Sequence, residues 1–435
     1  MDTSVIETSY PLTFRKADAV RLGEHVLHRH SVDLVGMKRV GISNFLRFFL
    51  YHKDVVNTYI GKGQKHLFIP VDLNDLIERE MYPFWALTLK RIVDVVNYSD
   101  LPGVDKKRIE SLFLNSIQTH DLFLLIDGVR QALVSILATD VYPTIFFLRF
   151  DRVKDAVNQQ FFDNLQGLKD ATHQKLAYVF TNYRTLDYLS PAVFTKASLS
   201  VFSHLMYMKP AKEQDMRVIY QTFADRYSVH LPDETIKDLI EMAHGHVQYL
   251  QLALIILNEK KDSMPKTKNE LFSLISKDER VTLQSEELWE SLMKEEKEIL
   301  LKTSKGNALA EQDRQRGVYL FETGFILDEN GAHRIFNPIF EHYLKHREEK
   351  GTGSSAVVHF SKKEHLLMTV LEQHKDAICE REEIVDAVWP EYRELGVSDW
   401  AIDRLVARVR AKLKQQKNNL EIVTIRTRGY KLTPA

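Results

Sequence analysis

The stretch WAIDRLVARVRAKLKQ, Trp400 to Gln415, decides how the end of this chain folds. Ile402, Leu405, Val406, Val409 and Leu413 fall at i, i+3, i+4, i+7 and i+11, one apolar stripe that predicts a helix seated on a core. The opposite face carries Trp400, Arg404, Ala407, Arg408, Ala411 and Gln415. Arginine pairs bidentately with guanine, and alanine lets a helix backbone approach the bases, so this face suits a groove of double-stranded DNA. From Arg404 to Lys431 there are nine Lys or Arg against one acid, Glu421, in a chain of formal net charge −1. A local excess of that kind attracts phosphate and releases counterions.

Working outward, residues 361–374 and 381–389 read as two more helices. The first turns Leu366, Leu367, Val370 and Leu371 inward, the second Ile384, Val385 and Val388. After the basic helix, 420–425 and 429–432 read as short strands around Arg426-Thr427-Arg428-Gly429. Three helices followed by a hairpin with a basic tip predict a winged helix-turn-helix whose third helix enters the major groove. The tip, Arg426 and Arg428, would reach phosphates or the minor groove.

FSKKEHLLMTVLEQH, the 381–389 helix ending in Trp-Pro, SDWAIDRLVARVRAKL and the closing TIRTRGYKL together resemble the output domain of OmpR/PhoB-type response regulators. The resemblance covers nearly all of 357–435. It implies that Trp400, Arg404 and Arg408 face the bases, that Arg426 and Arg428 lie in the wing, and that Arg410 and Lys412 flank phosphates. It also places the loop 390–398 where relatives touch RNA polymerase. The residues ahead of this module do not read as the phosphoacceptor receiver usual in that family, so a different kind of body would control it.

At 435 residues the chain is long enough for several cores, and 44% hydrophobic with 27% charged residues is an ordinary globular balance. A single cysteine, Cys379, excludes an intramolecular disulfide and four-cysteine zinc sites, and reads as buried packing in a segment between helices. MDTSVIETSYPLTF lacks a basic region and an apolar core, so no signal peptide is expected, and the longest apolar runs are too short to span a bilayer. The expectation is a cytoplasmic, nucleoid-associated protein with no membrane partner.

Up to about residue 205, strand-like segments at 32–35, 66–71, 144–150 and 176–181 alternate with helices, which predicts a three-layer α/β domain with a mainly parallel sheet. After the first strand, Gly36-Met37-Lys38-Arg39-Val40-Gly41-Ile42-Ser43 matches the phosphate-loop pattern G-x-x-x-x-G-K-[ST] except that Ile42 stands at the lysine position. Gly36 and Gly41 can fold the loop into a nest of N–H groups at a helix start, and Ser43 can reach magnesium. Isoleucine cannot neutralise the β- and γ-phosphates.

VGMKRVGISNFLRFF, the run 72–75, Asn182 after the fourth strand and GHVQYLQLALIIL resemble the STAND and origin-recognition-like AAA+ ATPases over roughly 15–280. The resemblance implies a nucleotide site on Gly36, Gly41, Ile42, Ser43, Asn44, Asp151 and Asn182. The family's Asp-Glu pair at the end of the third strand is missing, with at most Asp151 left and displaced. Asn182 also fits a plain turn former. His244 and His246 flank Gly245 where the lid would start, and either touch phosphate or begin a helix. ATP or ADP with magnesium, or no cofactor at all, both stay open, and an efficient ATPase is not expected because each lost electrostatic group costs on the order of 3–4 kcal/mol.

The expected fold class is α/β plus α. A P-loop AAA+-like core spans 1–208, a helical lid 209–280, a winged-helix-like interaction domain 281–346, a flexible linker 347–356, and the winged-helix DNA-binding domain 357–435. The expected function is a DNA-binding transcriptional regulator with a hydrolysis-impaired, ATPase-like sensor and oligomerisation body, acting as a homo-oligomer. The alternative is a STAND-type nucleotide-dependent switch in host defence or a mobile element.

Overall fold

The computed structural model describes the chain apart from residues 1–4, 62, 77, 100, 102–103, 196–198, 200–201, 261–263, 330, 352–359, 361, 376, 390–398, 416–419, 426–427 and 435. The side chains of 348–351, 362, 399–401 and 415 also lie outside the described set. The chain divides into two compact units, Met1–Leu344 and Lys345–Ala435.

In the first unit, β1 (Ser31–Gly36), β2 (Lys65–Asp72), β3 (Val141–Leu148), β4 (Ala177–Asn182) and β5 (Ser203–Met208) form one sheet in the order β2-β3-β4-β1-β5. Every pairing is parallel. β1 and β4 are buried along their whole length, as central strands covered on both faces must be. The edge strand β2 instead alternates buried and half-exposed residues. On one face Phe45, Phe48 and Phe49 of helix Ile42–Tyr51 join a core with Leu34 and Met206. On the other, Phe84 and Trp85 of helix Met81–Tyr98 pack with Phe147 and Phe180. These layers and this strand order are the P-loop AAA+-type fold that the sequence predicts.

Several segments differ from expectation. β5 was not legible as a strand, because its pattern mixes histidine, tyrosine and methionine along a half-exposed edge. β3 ends at Leu148, short of residue 150, because Arg149 turns left-handed (φ 59°) and starts a 3-10 turn at Phe150–Val153. In the 281–346 segment the sequence pattern predicts a strand pair near 317–327 and 333–336, but 318–322 are the helix Val318–Glu322, which buries Tyr319 and Leu320. Only β6 (Ile326–Glu329) and β7 (Ala332–Ile335) form the hairpin there.

Three helices, Glu213–Tyr227, Asp233–Ala243 and Val247–Glu259, follow the sheet. Helix Pro338–Gly351 follows the β6–β7 hairpin and runs on past residue 347, where a flexible linker was expected; residues 352–356 lie outside the described set. Fully buried Asn337 joins two helix ends. Its Nδ2 donates to the Met242 and Ala243 carbonyls at 2.8 and 2.7 Å, and its Oδ1 accepts from Phe340 N–H at 2.9 Å.

The second unit has helices Lys362–Gln373, Arg381–Val388 and Asp399–Gln415 with an antiparallel sheet β8-β10-β9. β8 is Cys379–Glu380, β9 Leu420–Ile425 and β10 Gly429–Pro434. Cys379 lies between helices Lys362–Gln373 and Arg381–Val388, as expected, in the short strand β8, and burial pushes its thiol up to about 12. All five residues of the apolar stripe in Asp399–Gln415 are buried, against Leu367, Leu371, Ile384 and Tyr430. Gly429 is required by close approach, since a Cβ there would collide with the Cys379 carbonyl. Among the described residues no helix is long and apolar enough to cross a membrane.

Candidate nucleotide loop and candidate nucleic-acid interface

The strand order leaves the C-terminal end of β1 at a point where both neighbours, β4 and β5, come from later in the chain. Such reversals open a crevice beyond the strand ends, and the glycine loop lies there. Arg39 (φ 60°) and Gly41 (φ 112°) turn the loop into helix Ile42–Tyr51, and a side chain on Gly41 would strike Val247.

What surrounds the loop is protein on several sides. His246, fully buried, approaches the Lys38 carbonyl at 3.0 Å through Nε2. Burial lowers this imidazole to about 3, so it is neutral and Nε2–H is the donor that the carbonyl requires. Arg15 Nη2 reaches the Val40 carbonyl at 3.5 Å and its Nη1 the Lys209 carbonyl at 2.9 Å. The loop's own cations are engaged by one buried acid: Arg39 Nε lies 2.9 Å and Lys38 Nζ 3.7 Å from Glu287. Of the two open roles for the His244 and His246 pair, His246 takes the helix start, as N-cap of Val247–Glu259.

Ile42 is half-buried and folds back over Gly36, its Cδ1 3.1 Å from where a Cβ on that glycine would stand. Ser43 is exposed, and Asn44 Nδ2 donates to Glu7 at 3.3 Å. Ile42 and Ser43 border a cleft of about 900 Å³ that also meets β2, helix Met81–Tyr98 and the end of β3. Its arginines are each matched to acid: Arg47 to Glu7, Arg91 to Asp75 and Asp94, and Arg149 to Asp72.

At the end of β3, where an acid would hold magnesium, the chain presents Leu148 and Arg149. Asp151 lies beyond in the 3-10 turn, with its carboxyl raised chiefly by burial against the pull of Lys38. Asn182 is buried and points into the sheet: its Nδ2 donates to Asp33 Oδ1 at 2.8 Å. It is therefore not the turn former that its type suggested. Asp33 Oδ2 accepts from Leu186 N–H at 2.9 Å, and burial raises the carboxyl to about 7. A magnesium triphosphate needs a cation at position 42 and a carboxylate after β3. The alkyl side chain of Ile42 and the guanidinium of Arg149 occupy those places, so this donor set does not fit it.

In the second unit, Ala407, Ala411 and Lys414 are exposed along helix Asp399–Gln415, with Arg404 and Arg408 half-buried beside them. Arg408 Nε lies 3.7 Å and Lys412 Nζ 2.6 Å from buried Glu364 on helix Lys362–Gln373. On the other flank Arg410 lies across β9, donating to the Ile422 carbonyl at 2.7 Å and Thr424 Oγ1 at 2.8 Å. Arg428 is exposed at the hairpin, 3.5 Å from Glu380. The side chain of Trp400, and Arg426 and the 390–398 loop, lie outside the described residues. Sequence reasoning missed Lys414, whose spacing of seven from Ala407 is the signal for it. It also missed Asp403, an exposed acid held by Arg381 at 2.6 Å and by the Tyr430 hydroxyl.

The first unit has the parallel sheet, glycine loop and helical layers of a P-loop AAA+-type fold, and the second has the helices and hairpin of a winged helix. More particularly, residues 355–432 match the family described as transcriptional regulatory protein, C terminal, the OmpR/PhoB type. No curated protein matches the chain. Among solved structures, the chain is similar to a Walker-type ATPase of Pyrococcus abyssi at 14% identity and TM-score 0.44, covering 78% of this chain and 99% of that one. It is similar to the ORC2 protein of Aeropyrum pernix in ADPNP–ADP complexes at 13% identity and TM-score 0.45, covering 81% and 99%. The ORC1 protein of Aeropyrum pernix in complex with DNA aligns at 15% identity and TM-score 0.39, covering 80% and 96%.

Proposed function

We propose that this protein is a DNA-binding transcriptional regulator of the cytoplasm and nucleoid whose ATPase-like body senses or oligomerises without efficient hydrolysis. One observation carries the reading: an exposed alanine-lined helix face with Arg404 beside it, in a domain matching transcription regulators. Alanines admit the backbone to the major groove, and the flanking Arg404, Arg408, Arg410, Lys412 and Arg428 supply base and phosphate contacts. Trp400 and Arg426 complete that surface in the proposal, and the 390–398 loop is its proposed contact with RNA polymerase. A winged helix covers one half-site, so the acting form is a dimer or larger.

The body's role follows from the loop. With Ile42 in place of lysine and Arg149 near the magnesium position, any ATP or ADP held by Gly36, Gly41, Ser43, Asn44 and Asp151 serves as a ligand and not a fuel, and Asn182, turned to Asp33, takes no part. The second reading, a STAND-type switch in host defence or a mobile element, draws support from the cleft of about 900 Å³ opening beside Ser43. A gel-shift comparison of genomic fragments with random duplex tests the first: one or more fragments bind selectively. Equal affinity for both sinks it, and ATP-dependent assembly of the native chain would favour the switch.

A further inference from the structure

At the opposite end of β1 from the glycine loop, three imidazoles converge. His25 lies in the last turn of helix Lys16–Leu27, His30 just before β1, and His204 on the edge strand β5. The Nδ1 atoms of His25 and His30 stand 3.4 Å apart, and the rings of His30 and His204 stack with centroids 4.1 Å apart. One ligand nitrogen from each of the three lies within 4.8 Å of the other two.

We propose that His25, His30 and His204 form a binding site for a divalent transition-metal ion of the zinc class. The geometry carries this. Zinc–nitrogen bonds of about 2.0–2.1 Å in a tetrahedron put neighbouring nitrogens roughly 3.4 Å apart, which is the separation of the His25 and His30 Nδ1 atoms. A hydrogen bond between those two rings would account for one pair of nitrogens. It does not account for the third ring closing on the same point from a different strand. His204 is exposed, so its ring can turn the remaining distance without disturbing the core. Three protein nitrogens with an open fourth position are a common zinc donor set.

The donor atoms select the kind of ion. Burial first, then the other imidazoles and Arg21, lowers His25 to about 4, and His30 is lowered by burial, by His204 and His28, and by Lys169. A metal binds imidazole in its neutral form, so binding here should strengthen as pH rises. Magnesium and calcium take oxygen ligands, and the three imidazoles offer nitrogen only. Imidazole nitrogens suit zinc, copper and nickel. His28, with its ring centroid 5.8 Å from that of His30, is a further imidazole at the rim. In sequence the signal is HVLHRH from His25 to His30; His204 is joined to it only by the β1–β5 pairing.

The test uses the full chain, stripped with chelator and titrated with zinc chloride by calorimetry, with cobalt as a spectroscopic probe. One zinc per chain should bind, and cobalt should give the visible band of a tetrahedral nitrogen site. His204→Ala, an exposed change that leaves the metal-free melting temperature unaltered, should weaken binding by about 100-fold or more, beyond the effect of losing an outer-shell partner. His25→Ala should do the same. Cys379→Ser, in the separate His374, Cys379 and Glu383 group of the second unit, should leave this binding intact. Absence of zinc binding, or undiminished binding in His204→Ala and His25→Ala, overturns the assignment. So does loss of the site in Cys379→Ser alone.

Discussion

Asp33 shows how a single buried group sets a pH response. Below its ordinary value of about 4 the carboxyl is protonated whether the chain is folded or not. As pH rises the unfolded chain ionises freely, while the buried group resists until about 7. Stability therefore falls across that window and then levels, by on the order of 4 kcal/mol at about 1.4 kcal/mol per pKa unit. Asp33→Asn should flatten this slope in urea titrations followed from pH 4 to 8, and should fold. Its Oδ1 can still accept from Leu186 N–H, and its amide can donate to the buried Asn182 Oδ1 once that side chain flips. An unchanged slope would place the titration elsewhere. The consequence for Asn182 is a lesson in reading residues. Its place after the fourth strand was legible, but its partner was not, since Asp33 is 149 residues away and within an apolar strand.

Among the elements, the end of β4 is fastened to helix Lys294–Ser304 by one ion pair. Arg184, 2% exposed, donates to both oxygens of Glu296, 0% exposed, at 2.8 and 2.5 Å, and its guanidinium lies 3.7 Å from the Tyr319 ring centroid. Glu296 also accepts from Met293 N–H at 2.9 Å, which caps its own helix. Glu296→Ala leaves a guanidinium buried without its acid, and should cost roughly 3–5 kcal/mol. Thermal melts should show it, and Arg184→Met combined with Glu296→Leu should recover much of the loss. A pair of single variants that each cost under about 1 kcal/mol would mark the contact as a surface-type bridge. The basic helix gives the other element-scale expectation. Arg404→Ala should weaken a specific duplex by roughly 1–3 kcal/mol and relax one base position. Lys412→Ala, beside Glu364, should weaken all sequences alike and lower the salt slope by about 1. Binding isotherms at several salt concentrations separate the two effects.

For the molecule as a whole, the question is whether the ATPase-like body can work as an engine. Calorimetry with magnesium and ATP should give no hydrolysis heat for the native chain. Ile42→Lys should not create turnover either, because Arg149 and its Asp72 partner still occupy the end of β3. Measurable turnover on that single change would show that a lysine was all the site lacked.

Periodicity and loop spacing made the parallel sheet, the helices after it and the winged-helix module legible from the chain alone, because each is dictated by neighbours a few residues away. The lost lysine was legible for the same reason. The tertiary structure decided the rest: that His246 caps the glycine loop, that Arg149 turns to Asp72, that Lys412 leans on Glu364, and that His204 meets His25. Those pairings join residues dozens to hundreds of positions apart, and only the folded chain sets the burial and distance that give each charge its partner.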